Sequence, residues 1–185
     1  MIELRDITEA DKEKLLNWRN QPEVRKYMYT DHIITEEEHD KWFNDVVLND
    51  RSCKYWIIVL DGEDVGSVNL YYIDEKNSRC NWSFYIAKDT RGRGVGLYVE
   101  YSVLYYVFEV LKLNRIYGEV FSFNENAIKL FESSGFQIEG RFREHVVKDG
   151  IKHDIICVGY LQSDWIKNKS KIEERLHKKG LINER

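Results

Sequence analysis

The sequence predicts one α/β domain of the α+β kind, with a central mixed, mostly antiparallel sheet flanked by helices. Three observations predict it. Residues 55–60 and 65–73 are rich in β-formers and separated by Asp61-Gly62-Glu63-Asp64, a hairpin signal, and residues 80–86 follow as a third strand of the same meander. A glycine-rich stretch then runs straight into an apolar segment of helical length, residues 95–111. After it, a strand (115–122), an amphipathic helix (124–133) and two long strands (137–147 and 151–161, joined at Asp149-Gly150) complete an alternating order.

Taken in order, Ile2-Glu3-Leu4-Arg5 reads as a short strand. Thr8, with Asp11 three residues on, reads as the N-cap of a helix carrying Leu15, Leu16 and Trp18. Pro22 closes that helix or opens the next turn. Thr35-Glu36-Glu37-Glu38 has the form of a capping box, and Trp42, Phe43, Val46 and Val47 behind it fall at helical spacing. In residues 80–86, Asn81, Ser83 and Tyr85 share one face and Trp82, Phe84 and Ile86 the other. The 95–111 segment is apolar on nearly every side, as a central buried helix is. Gly135 stops the helix at 124–133. From about residue 162 a charged helical extension follows, in which acids and bases alternate as on a solvated face. There is no repeat or linker, so residues 1–185 are read as one domain.

Composition narrows the function. The chain has 185 residues, 43% of them hydrophobic, enough for a core without metals or disulfides. Its 28 Lys and Arg against 32 Asp and Glu form no basic stripe, which argues against nucleic acid as a partner. Cys53, Cys80 and Cys157 are widely spaced and read as reduced thiols, and neither they nor the five histidines show metal-ligand spacing, so no metal is expected. The first residues lack a basic start followed by an apolar run, and Glu100 and Glu109 interrupt the most apolar segment. No membrane association is expected, and the reducing cytoplasm is the expected location.

The sharpest signal is Arg91-Gly92-Arg93-Gly94-Val95-Gly96, between a strand and a long helix. Backbone N–H groups at such a junction converge on a concave site, the helix dipole adds positive potential, and glycines let an anion approach the backbone. Arg91 and Arg93 add charge. A Walker loop would need Gly-Lys-Ser/Thr, which is missing. A Rossmann fingerprint would follow the first strand of a βαβ unit, whereas an antiparallel meander precedes this loop.

The loop resembles the Gln/Arg-x-x-Gly-x-Gly/Ala signature of the GNAT superfamily of N-acetyltransferases, at Arg91, Gly94 and Gly96. Residues 124–136, Asn-Glu-Asn-Ala-Ile-Lys-Leu-Phe-Glu-Ser-Ser-Gly-Phe, resemble that superfamily's Asn-x-x-Ala-x-x-Leu-Tyr-x-x-x-Gly-Phe motif. The resemblance spans the element order from Ile2 to Leu161. It implies a GNAT-like fold, with acetyl-CoA as cosubstrate. The loop from Arg91 through Gly92, Arg93, Gly94 and Val95 to Gly96 would bind its pyrophosphate. Its pantetheine arm would enter between the splayed strands at 80–86 and 115–122 and be hydrogen-bonded by Asn126. A backbone N–H just after Phe84, assigned to Ile86, would polarise the thioester carbonyl.

Acetyl transfer to an amine needs a proton acceptor, and Glu119 is the candidate. It shares a strand face with Tyr117 and Phe121, and a carboxylate enclosed by aromatic rings is suited to that task. The resemblance extends to ribosomal-protein acetyltransferases, where a glutamate in this strand position serves as base. Phe131 departs from the family: many members have tyrosine there, protonating the leaving thiolate. A thiol's ordinary pKa of about 8.5 makes its thiolate a tolerable leaving group without that tyrosine. Phe131 is also the one feature favouring a module that senses CoA without turnover.

For the acceptor, the run from Trp18 to Thr30, continued by Glu36-Glu37-Glu38-His39, resembles amino-sugar acetyltransferases of pseudaminic acid biosynthesis, which act on a UDP-linked 4-amino-4,6-dideoxy sugar. Arg19, Asn20, Met28 and Tyr29 are the candidate acceptor contacts. Arg19, Arg25 and Lys26 would meet a diphosphate, and Met28 and Tyr29 a base or a deoxy-sugar methyl. Spermidine and ribosomal-protein acetylation are the alternatives, because residues 136–154 fit those branches equally. The expected partner is thus a small-molecule amine, with a second copy of the chain as an optional homodimer partner.

Overall fold

A computed structural model describes residues 1–182. β1 (Ile2–Asp6) pairs antiparallel with β2 (Lys54–Leu60), Ile2 opposite Leu60 and Asp6 opposite Trp56. β2 turns into β3 (Glu63–Asp74) through Asp61 and Gly62 alone, at φ 52° and 84°. This hairpin is tighter than the four-residue connection read from the sequence. Glu63 and Asp64 already pair with Leu60 and Val59, and a bulge at Ile58/Val59 absorbs the difference. β4 (Arg79–Ile86) completes the antiparallel meander. β5 (Arg115–Phe121) lies parallel to β4, β7 (Ile151–Leu161) antiparallel to β5, and β6 (Gln137–Lys148) antiparallel to β7. The seven strands run in the order β1-β2-β3-β4-β5-β7-β6.

Each face of the sheet has its own core. On one, Leu15 and Trp18 of α1 (Lys12–Asn20) and Phe43, behind α3 (Glu36–Trp42), pack on Ile57 and Val59 of β2. Between these helices Pro22 occupies the first turn of a short α2 (Pro22–Arg25), so the proline opens a helix. The Thr35 hydroxyl accepts from Glu38 N at 3.2 Å while the Glu38 carboxylate accepts from Thr35 N at 2.9 Å, the capping box read in the sequence. On the other face α4 (Val95–Tyr105), α5 (Glu125–Ser134) and α6 (Gln162–Lys178) bury Val99, Val103, Leu104, Phe131, Trp165 and Leu176 against Val68, Leu70, Trp82 and Ile116.

The side-chain alternation expected of β4 is observed: Trp82, Phe84 and Ile86 belong to the larger core and Tyr85 to the smaller. Asn124 caps α5, and Gly135 ends it at φ 102°, where a side chain would be strained. The charged extension is α6 as far as Lys178, and residues 183–185 lie outside the described residues. Among the described residues no helix is long and apolar enough to cross a membrane, and all three cysteines are free.

A polar knot fixes α1 against the meander. Arg5 donates to Asp11 and Asp64, each at 2.6 Å, and Lys14 to the same two carboxylates at 3.0 and 2.5 Å. The Arg5 guanidinium holds the Asp11 carboxyl well below its ordinary range, against the opposing cost of burial. Thr8 and Asp11 form their cap around a single 3₁₀ turn, Glu9–Asp11, that leads into α1.

Candidate active site

The site begins where the sheet fails to close. β4 and β5 pair only from Arg79 opposite Arg115 to Asn81 opposite Tyr117, and beyond that level they part. The first β5 residue past the last pair is Gly118. A Cβ there would be in ordinary contact, 3.5 Å, with both the carbonyl oxygen and the indole nitrogen of Trp82, so glycine leaves that space to the wedge. A cavity of about 390 Å³ fills it, walled by Trp82, Phe84 and Ile86 of β4, Gly118 and Glu119 of β5, and Gly96, Asn126 and Phe131 of α4 and α5. Backbone N–H groups alternate between the two edges of a strand. Since Ala87 N bonds Val65 O of β3 at 2.8 Å, the Ile86 N–H faces this wedge, as a donor to a carbonyl there must.

The glycine loop lies at the mouth. Gly92 and Gly94 have φ of 77° and 74°, and Gly94 is the N-cap residue of α4, so Val95 and Gly96 open the helix with N–H groups free for an anion. Gly96 must be small for a further reason: a Cβ would press to 3.1 Å from Leu130 of α5. Arg91 pairs with Asp89 at 2.6 Å, and Arg93 with Asp61, both as exposed ion pairs at the mouth of the wedge.

On the acceptor side Glu119 shares its face with Tyr117 and Phe121, as the strand period requires, but it is exposed rather than enclosed by aromatic rings. The ring that reaches it comes from elsewhere in the chain. Tyr29 packs edge-on against Phe121, with centroids 5.5 Å apart, and donates its hydroxyl to Glu119 Oε2 at 2.5 Å. Desolvation and then the Glu119 carboxylate push the Tyr29 phenol far above its ordinary range, so it remains the donor at every working pH. Tyr29 thus orients the candidate base. Its backbone is held by Lys148, only 5% exposed, whose ammonium donates to Met28 O and Thr30 O at 2.9 Å each. Beside this contact lies an aromatic ledge: Tyr27 stacks on Phe123 at 6.0 Å, Phe123 on Phe121 at 4.9 Å, and His153 abuts both phenylalanines.

Two sequence-derived contacts fall away from the wedge. The Asn20 amide is committed to the backbone of Ile34, donating to its carbonyl and accepting from its N–H at 2.9 Å each, so it ties α1 to the following loop and is not free for an acceptor. Arg19 lines a separate cavity of about 240 Å³ with Thr30, His32, Ile34, Glu38, His39 and Trp42. Met28 does line the wedge, and Phe131 is buried with its ring 5.5 Å from that of Trp82. Sequence reasoning missed Lys148, which reads as an ordinary charged residue at a hairpin tip. Its role depends on a contact about 120 residues away in the chain.

A splayed parallel pair, a glycine loop capping the following helix and a carboxylate on the far wall together define an acyltransferase cleft. Residues 2–137 match the acetyltransferase (GNAT) domain. The chain belongs to this family, and its reaction is acetyl transfer to an amine. Among curated proteins it is 30% identical to acetyltransferase PseH of Campylobacter jejuni, over 75% of this chain and 86% of that protein. It is 24% identical to the spermidine N(1)-acetyltransferase of Escherichia coli, over 89% and 88% of the two chains. Among solved structures, spermidine N-acetyltransferase from Vibrio cholerae in complex with CoA and spermine superposes with a TM-score of 0.83 at 23% identity, over 89% of this chain and 98% of that one. At that identity the match speaks for the fold.

Proposed function

We propose that this chain transfers the acetyl group of acetyl-CoA to the 4-amino group of a UDP-linked amino-deoxy sugar, in a reducing cytoplasm. Acetyl-CoA supplies an acetyl group activated as a thioester. The residues present suit it: Gly92 faces open space at the mouth, Gly94 supplies the left-handed N-cap of α4, Gly118 leaves room between the strands, and the Ile86 N–H faces that space. Asn126 lines the wedge wall, which supports the reading that it bonds an amide of the arm. Glu119 removes the proton of the attacking ammonium, directly or through one water, while Tyr29 holds the carboxylate in orientation.

The observation that carries the sugar reading is the accessible ring pair Tyr27 and Phe123 near Glu119, backed by the buried Phe121. A flat nucleobase stacks on such a surface. Lys26, whose ammonium lies 4.7 Å above the Tyr27 ring, adds a cation there for a diphosphate. Arg19, in its separate cavity, is not part of this contact. A polyamine would want several acids, and among the described residues only Glu23 and Glu119 line the wedge, the latter already bonded by Tyr29.

The test is thiol release from acetyl-CoA with four acceptors at matched concentration: the UDP-linked 4-amino-4,6-dideoxy sugar, the free amino sugar, spermidine and a short peptide with a free N-terminus. The nucleotide conjugate should give the highest kcat/KM, with the free sugar much poorer, because remote binding is used at the reacting centre. Efficient transfer to spermidine or the peptide, with none to the conjugate, overturns the sugar reading and leaves the acetyltransferase intact.

A further inference from the structure

Trp82 is 2% exposed, and its indole N–H has no hydrogen-bond partner among the described residues. Buried indole N–H groups usually find an acceptor, and leaving one unpaired destabilises the fold. Its location gives that cost a purpose. Trp82 stands one residue past the last β4–β5 pair, at the floor of the wedge. Its indole nitrogen lies 3.5 Å from the point where a Gly118 side chain would begin, so no side chain of β5 covers it. The ring is immobilised by Phe84 and Phe136, stacked at 5.5 and 5.9 Å, and by Phe131, tilted at 5.5 Å. Phe131 brings no hydroxyl to this neighbourhood, so Trp82 supplies the polar hydrogen at the wedge floor.

We propose that the Trp82 indole N–H donates a hydrogen bond to the sulfur that leaves during acetyl transfer. The inference rests on acetyl-CoA being the donor. In the step, the amine nitrogen bonds to the carbonyl carbon, the carbon–sulfur bond breaks and its electron pair stays on sulfur. The ammonium gives one proton to Glu119 before it attacks, nitrogen loses its second proton to water as the adduct collapses, and sulfur takes its proton from water. Trp82 keeps its own proton, because a neutral indole is too weak an acid to surrender it. Its contribution is electrostatic: a preorganised donor aimed where negative charge develops, on a ring that need not move. Removing one such donor from an oxyanion costs about 10²–10³ in kcat, and sulfur is a softer acceptor, so roughly 10–10² is expected here.

Trp82→Phe removes the N–H and keeps an aromatic ring. Calorimetry should find CoA binding within a few-fold of the wild type, kcat should fall by roughly 10–10² with KM for acetyl-CoA little changed, and adding Phe131→Tyr should recover part of the loss by returning a hydroxyl donor. A second measurement uses the unmodified chain and so survives a folding failure of the variant. The Trp82 indole ¹H–¹⁵N resonance should shift on adding CoA and not on adding desulfo-CoA, which lacks the sulfur. Wild-type kcat in folded Trp82→Phe, or the same indole resonance with both ligands, overturns the proposal. If calorimetry detects no CoA binding to the wild-type chain, the donor reading fails and takes this inference with it.

Discussion

Glu100 gives the most quantitative prediction. It lies on the central helix α4, is 1% exposed, accepts from the Ser134 hydroxyl through Oε2, and has no partner for Oε1 among the described residues. Burial raises its carboxyl from the usual 4.5 to about 8, opposed in part by the Ser134 bond and by Arg175. The folded state therefore binds a proton that the unfolded chain has released between these values. Stability linked to this group is full below pH 4.5, declines as pH rises, and is lost once pH passes the folded value. Glu100→Gln keeps the shape and an acceptor for Ser134 but cannot ionise. With about 1.4 kcal/mol per pK unit, its advantage over the wild type should be about 2 kcal/mol at pH 6 and level off near 5 kcal/mol at pH 8.5. Urea unfolding of both proteins between pH 5 and 8.5 measures that difference curve, in which every other titrating group cancels. A difference that does not change with pH would refute the burial argument, whatever its absolute size.

Two further predictions concern the acceptor side. Glu119→Gln should lower kcat by about 10²–10⁴ with little effect on CoA binding, and Tyr29→Phe should fall between it and the wild type. Near-normal turnover of Glu119→Gln across neutral pH would mean that another group takes the proton. Lys148→Met should cost about 1–3 kcal/mol by leaving two carbonyls unpaired, and should raise KM for the acceptor more than KM for acetyl-CoA. Equal changes in the two constants would show that Lys148 does not act through Tyr29.

Much of this protein was legible in the sequence because the signals are local. The capping box at Thr35, the existence of the β2–β3 hairpin, the turn at Asp149-Gly150, the αL stop at Gly135 and the two-residue alternation of β4 each depend on residues within a few positions of one another. The glycine loop and the helix it caps are local in the same sense, and with residues 124–136 they were enough to point to the family. Which side chains share the reacting volume was decided by the tertiary structure. Tyr29 meets Glu119 across 90 residues, and Lys148 reaches Met28 across 120. Asn20 and Arg19, neighbours of the acceptor run in sequence, are turned to a loop backbone and a second cavity by the packing of α1. Local chemistry sets the conformation of a segment, whereas a site between segments depends on strand register and packing, which no single stretch of the chain encodes.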